Sequence, residues 1–243
     1  MKANLYEYLA GNEYPGRGIC IGKTPGGNKA VIAYFIMGRS INSRNRVFDP
    51  IDGGIRTMAA DPSKMTDPHL IIYNPVLTID KTTIVTNGDQ TNTIYDFISR
   101  DQFSDYNFEA ALATRTFEDD KPNWTPRISG IVDMRTGGYK LNILKSCDGN
   151  ENSVQRFTFD YLQPLTGEGH FISTYKCNGT PIPSFAGEPI HVAIDEEDPD
   201  LYGAKLWKAL NEDNKVSLFV RAIDLKTQTF KDVIINKYKA VEE

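Results

Sequence analysis

The feature that most constrains this chain is a succession of about ten short β-rich segments, set mostly in hairpin order. Gly18–Gly22 and Lys29–Met37 flank a turn, Lys23–Asn28, in which Gly26-Gly27 supplies the positive dihedrals a hairpin needs. Leu70–Asn74 and Thr82–Thr86 read as strands joined around Asp80, and Arg127–Met134, Tyr139–Leu144 and Val154–Tyr161 follow one another across Gly-rich or Asn-rich turns. Gly167–Asn178 carries another alternating run, and Lys215–Asp224 with Phe230–Tyr238 closes the chain as a strand pair. Helical spacing is confined to a short N-terminal segment around Leu5, to Thr91–Ser99, to Phe103–Thr116 and to Tyr202–Leu210. The acidic Asp195–Asp200 reads as the solvated start of that last helix, whereas Asp49–Pro68 is polar and rich in Gly and Pro, and reads as loop. Sequential antiparallel strands with grouped helices predict an α+β fold rather than a doubly wound parallel sheet.

A length of 243 residues is enough for a substantial core and most simply predicts one domain, 1–243. The net charge of -5 gives no footprint for nucleic acid, while a few arginines can still build a positive pocket. Three cysteines, Cys20, Cys147 and Cys177, are widely spaced, which argues against a disulfide framework and suits the reducing cytoplasm. No stretch approaches membrane-spanning length. There is no Gly-x-Gly-x-x-Gly, no phosphate-loop Gly-Lys-Ser/Thr and no His-Glu-x-x-His. The three histidines are dispersed, so neither metal nor cofactor is expected, and a homo-oligomer is left open.

Two polar segments stand out. In Glu118–Gly130, Pro122 and Pro126 remove backbone donors and bias Lys121 and Thr125 towards extended geometry just before a strand. Glu118, Asn123, Thr125 and Arg127 are thereby candidates to converge on one small polar ligand; a solvated charged loop is the alternative. Gly38–Arg46 leaves a buried strand with three arginines, two serines and two asparagines. The guanidinium fork suits phosphate, though the segment alone fits an exposed basic turn equally well. Asn87-Gly88 is first of all a turn signal.

In order, Ala33-Tyr34 with Arg39-Ser40 and Arg44, then Tyr73-Asn74, Val85-Thr86-Asn87-Gly88, and Pro122-Asn123-x-Thr125-Pro126-Arg127-Ile128-x-Gly130 preceded by Glu118, resemble the archaeal-type inosine monophosphate (IMP) cyclohydrolase family. The match covers roughly the first 135 residues, and more loosely Gly169–Gly187. The resemblance implies closure of formamidoimidazole carboxamide ribonucleotide (FAICAR) to IMP with loss of water, the last step of purine biosynthesis. It also implies a four-layer α-β-β-α sandwich with antiparallel sheets, similar to N-terminal-nucleophile hydrolases, although Cys20 is internal. On that resemblance Glu118 is the candidate base, and Arg39 or Tyr73 the group that meets the developing oxyanion. Arg44 and Arg127 are candidates for the phosphate, and Asn74, Asn87, Gly88, Asn123 and Thr125 for base and ribose. An amide hydrolase of the same fold and a non-catalytic purine-nucleotide-binding module are the rival expectations.

Overall fold

A computed structural model describes residues 2–65, 68, 71–101, 104 and 106–240. Helix α1 (Leu5–Ala10) leads into β1 (Arg17–Lys23) and β2 (Lys29–Met37), followed by the single turn α2 (Ile41–Arg44) and the hairpin β3 (Val47–Ile51) and β4 (Gly54–Met58). After β5 (Val76–Ile79) and β6 (Thr82–Thr86) come α3 (Gln90–Arg100) and α4 (Asn107–Ala113). Strands β7 (Arg127–Asp133), β8 (Tyr139–Cys147) and β9 (Asn150–Tyr161) form a meander. The chain ends with β10 (Glu168–Ser173), β11 (Ile190–Ala193), α5 (Pro199–Ala209), β12 (Lys215–Asp224) and β13 (Phe230–Asn236).

The strands form two antiparallel sheets, as the α+β expectation requires. One runs β11-β10-β1-β2-β12-β13, the other β3-β4-β5-β6-β7-β8-β9. Side chains alternate across β2 because successive Cβ atoms point to opposite faces. Ile32, Tyr34 and Ile36 meet Ile55, Val85, Ile128 and Leu141 of the second sheet in a shared apolar layer. Val31, Ala33 and Phe35 face the other way, onto Leu5 and Leu9 of α1 and Tyr202 and Leu206 of α5. On the far side of the second sheet, Ile84 and Leu144 pack against Ile94 of α3 and Phe108, Ala111 and Leu112 of α4. No helix among the described residues is long and apolar enough to cross a membrane.

Several boundaries differ from expectation. Asp49–Pro68 is not loop throughout: it contains most of the β3–β4 hairpin, with Gly53 at φ 69° in the turn and Ile55 fully buried. Residues 71–74 are irregular rather than a strand, and Leu70 lies outside the described residues. Thr57 holds the segment with both its backbone and its side chain: its amide donates to the Tyr73 carbonyl at 2.8 Å, while its hydroxyl donates to the Ile71 carbonyl at 2.5 Å and accepts from the Tyr73 amide at 2.9 Å. Helix α4 is shorter than Phe103–Thr116, and Phe103 too lies outside the described residues.

Arg221 bolts the sheets together. Fully buried on β12, it forks onto Asp232 with two contacts of 2.7 Å and donates to the Thr78 hydroxyl of β5 at 2.6 Å. The Phe230 ring lies 3.6 Å from its guanidinium carbon. Arg221→Ala strips Asp232 and Thr78 of their partner, so unfolding in urea should show a loss of about 3 kcal/mol. A loss below about 1 kcal/mol, the range of a surface ion pair, would show that the contact is ornamental.

Candidate active site

Antiparallel pairing sets the start of β1 beside the ends of β2 and β10: Arg17 lies opposite Ile36, and Gly18 opposite Ser173. The segment entering β3 and the loop entering β7 close over the same end. Between them lies a cavity of about 290 Å³ whose lining includes Arg17, Arg39, Arg46, Glu118, Asp120 and Tyr175. Gly16 makes the entry to β1 possible. Its φ is 77°, and a Cβ there would stand 2.3 Å from the Thr174 hydroxyl and 2.5 Å from the Tyr175 ring.

Three charged groups form the floor. Glu118, 6% exposed, places Oε2 3.8 Å from Nη2 of Arg17, an attraction too long to be a hydrogen bond. Arg46, 1% exposed, donates through Nε to the Ser43 carbonyl. Nε of Arg17 and Nη1 of Arg46 are buried without a hydrogen-bond partner among the described residues. Burial raises the Glu118 carboxyl above the usual glutamate range, against the pull of Arg17 and Arg127. Burial disfavours the Arg17 charge, but Glu118 and the neighbouring tyrosines more than restore it. The Arg46 guanidinium is shifted down, first by burial and then by repulsion from Arg17. Two cations thus face one carboxylate that is itself drawn towards neutrality, and the floor favours an anionic or strongly polarised ligand.

The loop before β7 holds its shape through Thr125. The Glu118 amide donates to the Thr125 carbonyl at 2.9 Å, and the Thr125 amide to Oδ1 of Asp120 at 2.6 Å. The Thr125 hydroxyl stands 2.5 Å from Oδ2 of Asp120 and 2.5 Å from the Tyr175 phenol. An ionised carboxylate only accepts, so Thr125 donates to Asp120 and Tyr175 donates to Thr125. Between Asn123 and Thr125, Trp124 takes φ 44°, a left-handed conformation costing about 1–2 kcal/mol for a residue with a Cβ.

The residues singled out from sequence fall into three groups. Arg39, Glu118 and Asn123 line the cavity. At the rim, Arg39 donates to the side chain of Asn178 and the carbonyl of Gly179 and lies over the Tyr14 ring. Asn123 accepts from the Ile182 amide. Thr125 and Tyr73 stand one layer behind, the Tyr73 phenol 2.8 Å from that of Tyr34. The others are engaged outside the lining. Arg44 donates to the Gly38 carbonyl and to Asn214, and Asn74 approaches Asn92. Asn87 clamps the start of β7 through the Pro126 carbonyl and the Ile128 amide. Arg127 pairs with Asp89 and Gln90. It also crowds Gly88, where a Cβ would lie 2.4 Å from Nη1.

Sequence reading did not single out Arg17, Asp120, Tyr14 or Tyr175, and treated Arg46 only as part of the basic segment. One signal for Arg17 was available: an arginine following glycine at the mouth of an apolar strand, where its charge needs a buried partner. Cys20 lies mid-strand, paired on both sides and 2% exposed, and burial pushes its thiol up to about 12, so it is no nucleophile. No group of three or more His, Cys, Asp or Glu among the described residues is arranged to hold a metal ion.

Fold and site together define a class, α+β proteins with a charged cavity across the ends of two antiparallel sheets. Residues 14–228 match the family described as IMP cyclohydrolase-like protein, and the chain belongs to that family. Among proteins named IMP cyclohydrolase, that of Methanococcus maripaludis is 31% identical over 174 residues, 69% of this chain and 77% of its own. Those of Methanopyrus kandleri and Methanococcus aeolicus are 29% and 26% identical, each over 190 residues and 84% of their own length, covering 76% and 77% of this chain.

Thr125→Val keeps the side-chain volume but deprives Asp120 and Tyr175 of their shared partner. Urea unfolding should register a loss of about 2 kcal/mol, one unsatisfied group's share for each. Unchanged stability would mean that water replaces the hydroxyl at both.

Proposed function

We propose that the protein is an IMP cyclohydrolase, closing the second ring of FAICAR with loss of water. The observation that carries this reading is the buried carboxylate–guanidinium floor, Glu118 with Arg17 and Arg46, in a chain of this family. The three relatives cited by identity carry that enzyme's name.

In the reaction the carboxamide nitrogen attacks the formyl carbon. A nitrogen–carbon bond forms, the formyl oxygen becomes an oxyanion, and the nitrogen gives up one proton. The carbinol oxygen then leaves as water with that proton and the one from the formamide nitrogen, and a carbon–nitrogen double bond remains. The amide is a poor nucleophile, so a base at hydrogen-bond distance is required, and a carboxylate with a raised pKa is better matched to it than an ordinary one. Glu118 takes that role. Arg39 stands at the mouth, where the phosphate end of a nucleotide enters, and Asn123 faces the ribose or base. Tyr73 lies behind the floor, its phenol 2.8 Å from that of Tyr34. Holding the formyl group against the carboxamide is itself a large part of the acceleration, since both reactants belong to one molecule.

The apolar layer common to both sheets supports reading 1–243 as one domain, and helices on both outer faces support the α-β-β-α arrangement of N-terminal-nucleophile hydrolases. The hydrolytic chemistry of those enzymes is not supported, because Cys20 sits inside a central strand. A cytoplasmic setting is consistent with the free cysteines.

The test is ultraviolet absorbance of the purified protein with FAICAR in the absence of added metal. Catalytic formation of IMP supports the reading, whereas saturable binding without conversion would replace it with a binding protein. Glu118→Gln should bind IMP like the parent and lose about 100-fold or more in turnover; near-normal turnover would remove Glu118 from the role of base. The acid limb of kcat/KM should also inflect above the usual glutamate range, because the burial that raises the Glu118 pKa makes its active, ionised form disappear earlier as pH falls. In Glu118→Gln that limb should be absent from the residual activity.

A further inference from the structure

We infer that Asn123 is a specificity-determining residue of the site, reading the oxygen that FAICAR carries on its carboxamide and IMP on its six-membered ring; this rests on the cyclohydrolase reading. What decides it is the polarity of one hydrogen bond. A primary amide has an accepting end and a donating end, and the end left for a ligand depends on what holds the other. The Ile182 amide donates to Oδ1 of Asn123 at 3.2 Å. A backbone N–H cannot accept, so the oxygen is the end turned to Ile182 and Nδ2 is the end left over. Nδ2 has no hydrogen-bond partner among the described residues. Asn123 and Ile182 both line the charged cavity and stand between it and a neighbouring hollow towards Lys145.

The donor is held in place from its own backbone. The Asn123 amide donates to the Asp120 carbonyl at 3.0 Å. The next residue, Trp124, keeps its left-handed φ of 44° with its ring buried edge-on to Phe117, 5.9 Å between centroids. Such a conformation persists only where its surroundings enforce it, so Asn123 presents its donor without a search. The other neutral donors of the lining are committed. The Ser40 hydroxyl donates to that of Ser43, the Ser43 hydroxyl to the Ser40 carbonyl, and the Tyr175 phenol to Thr125.

A group that can only donate selects an acceptor. The carboxamide oxygen of FAICAR and the ring oxygen of IMP are acceptors. The amino group of adenosine monophosphate (AMP) at the same position is a donor, and would leave N–H facing N–H with water excluded from both. The same contact chooses between the two ways the carboxamide can lie. With its oxygen on Nδ2, its nitrogen is turned to the formyl group; turned over, amine would meet amine. As that nitrogen loses its proton, charge spreads onto the oxygen and the contact strengthens.

Affinities for IMP and AMP are to be measured by calorimetry in the parent, Asn123→Asp and Asn123→Leu, with FAICAR turnover followed alongside. The parent should bind IMP about 10- to 100-fold more tightly than AMP, the effect of one unsatisfied polar group. Asn123→Asp keeps an oxygen for the Ile182 amide and turns a second acceptor to the ligand, so the ratio should fall to unity or invert. Its added negative charge weakens both nucleotides alike and cancels in the ratio. Asn123→Leu should erase the preference without inverting it, and decides alone if Asn123→Asp binds neither nucleotide. Equal affinities in the parent, or the parent's ratio in a variant that binds, would place Nδ2 towards the hollow beside Lys145 and overturn the assignment. Loss of both nucleotides in both variants would make Asn123 a structural part of its loop and overturn it as well. A parent that prefers IMP but leaves FAICAR unconverted overturns the cyclohydrolase reading while the polarity of Asn123 stands; an active parent whose variants keep its ratio overturns only the role of Asn123.

Discussion

Everything at the active end depends on the apolar layer between the two sheets. Tyr34 and Ile36 of β2 and Ile128 of β7 belong to it, and they lie within a few residues of Arg39 and Arg127, where the chain leaves the sheets. Burial of large side chains on both sides of that layer stabilises each by roughly 1.5–3 kcal/mol, and no rearrangement at the ends can be had without disturbing it. The strands therefore act as rigid mounts. Arg17, Arg46 and Glu118 come from different sheets or loops, and their mutual distances are set by a core that contains none of them.

That rigidity makes an unfavourable electrostatic arrangement tolerable. Two guanidinium groups beside one carboxyl, all withdrawn from water, would relax in a flexible protein by turning outwards. Here Gly16 leaves no room for another backbone path, and Thr125 ties Asp120, Tyr175 and the Glu118 backbone into one unit. The left-handed Trp124 belongs to the same economy of strain, since it lets its two neighbours, Asn123 and Thr125, serve opposite sides of one loop. Reorganisation that water would have to perform during the reaction is performed instead during folding.

The sequence disclosed the central strands well because their composition is unambiguous. Lys29–Met37 is apolar at nearly every position and is buried on both faces, and the expected β2 coincides with the observed one. It disclosed the β3–β4 hairpin badly, because Val47–Met58 mixes polar residues with a Pro and two glycines and its burial comes from contact with distant Asn236 and Val76. Residues 71–74 look like a strand by β-branched content, but the Ile71 and Ile72 amides turn back onto the Pro68 carbonyl and the Thr57 hydroxyl takes the Tyr73 amide, which periodicity does not reveal. At the site, the Glu118 and Asn123 loop was legible through its prolines and the family resemblance. Arg17 was not, because the glycine-arginine pair at a strand entrance signals only that a partner is needed; which partner it is comes from Glu118, about a hundred residues away and brought near only by the fold.

Strand β9 ends the second sheet and is its longest, and among the described residues it has a neighbour on one side only. Such an edge is an open template onto which another chain can add by backbone pairing. Glu151, Arg156 and Asp160 are distributed along it, and Lys121 and Lys140 approach Glu151 and Asp160 from neighbouring segments. The arrangement keeps both signs of charge on the rim of the sheet, so a second copy brought into register must strip water from them before it can pair. Resistance to association between chains is therefore guarded along this margin, and substitutions that neutralise β9 would turn the sheet into a seed for pairing with a second copy.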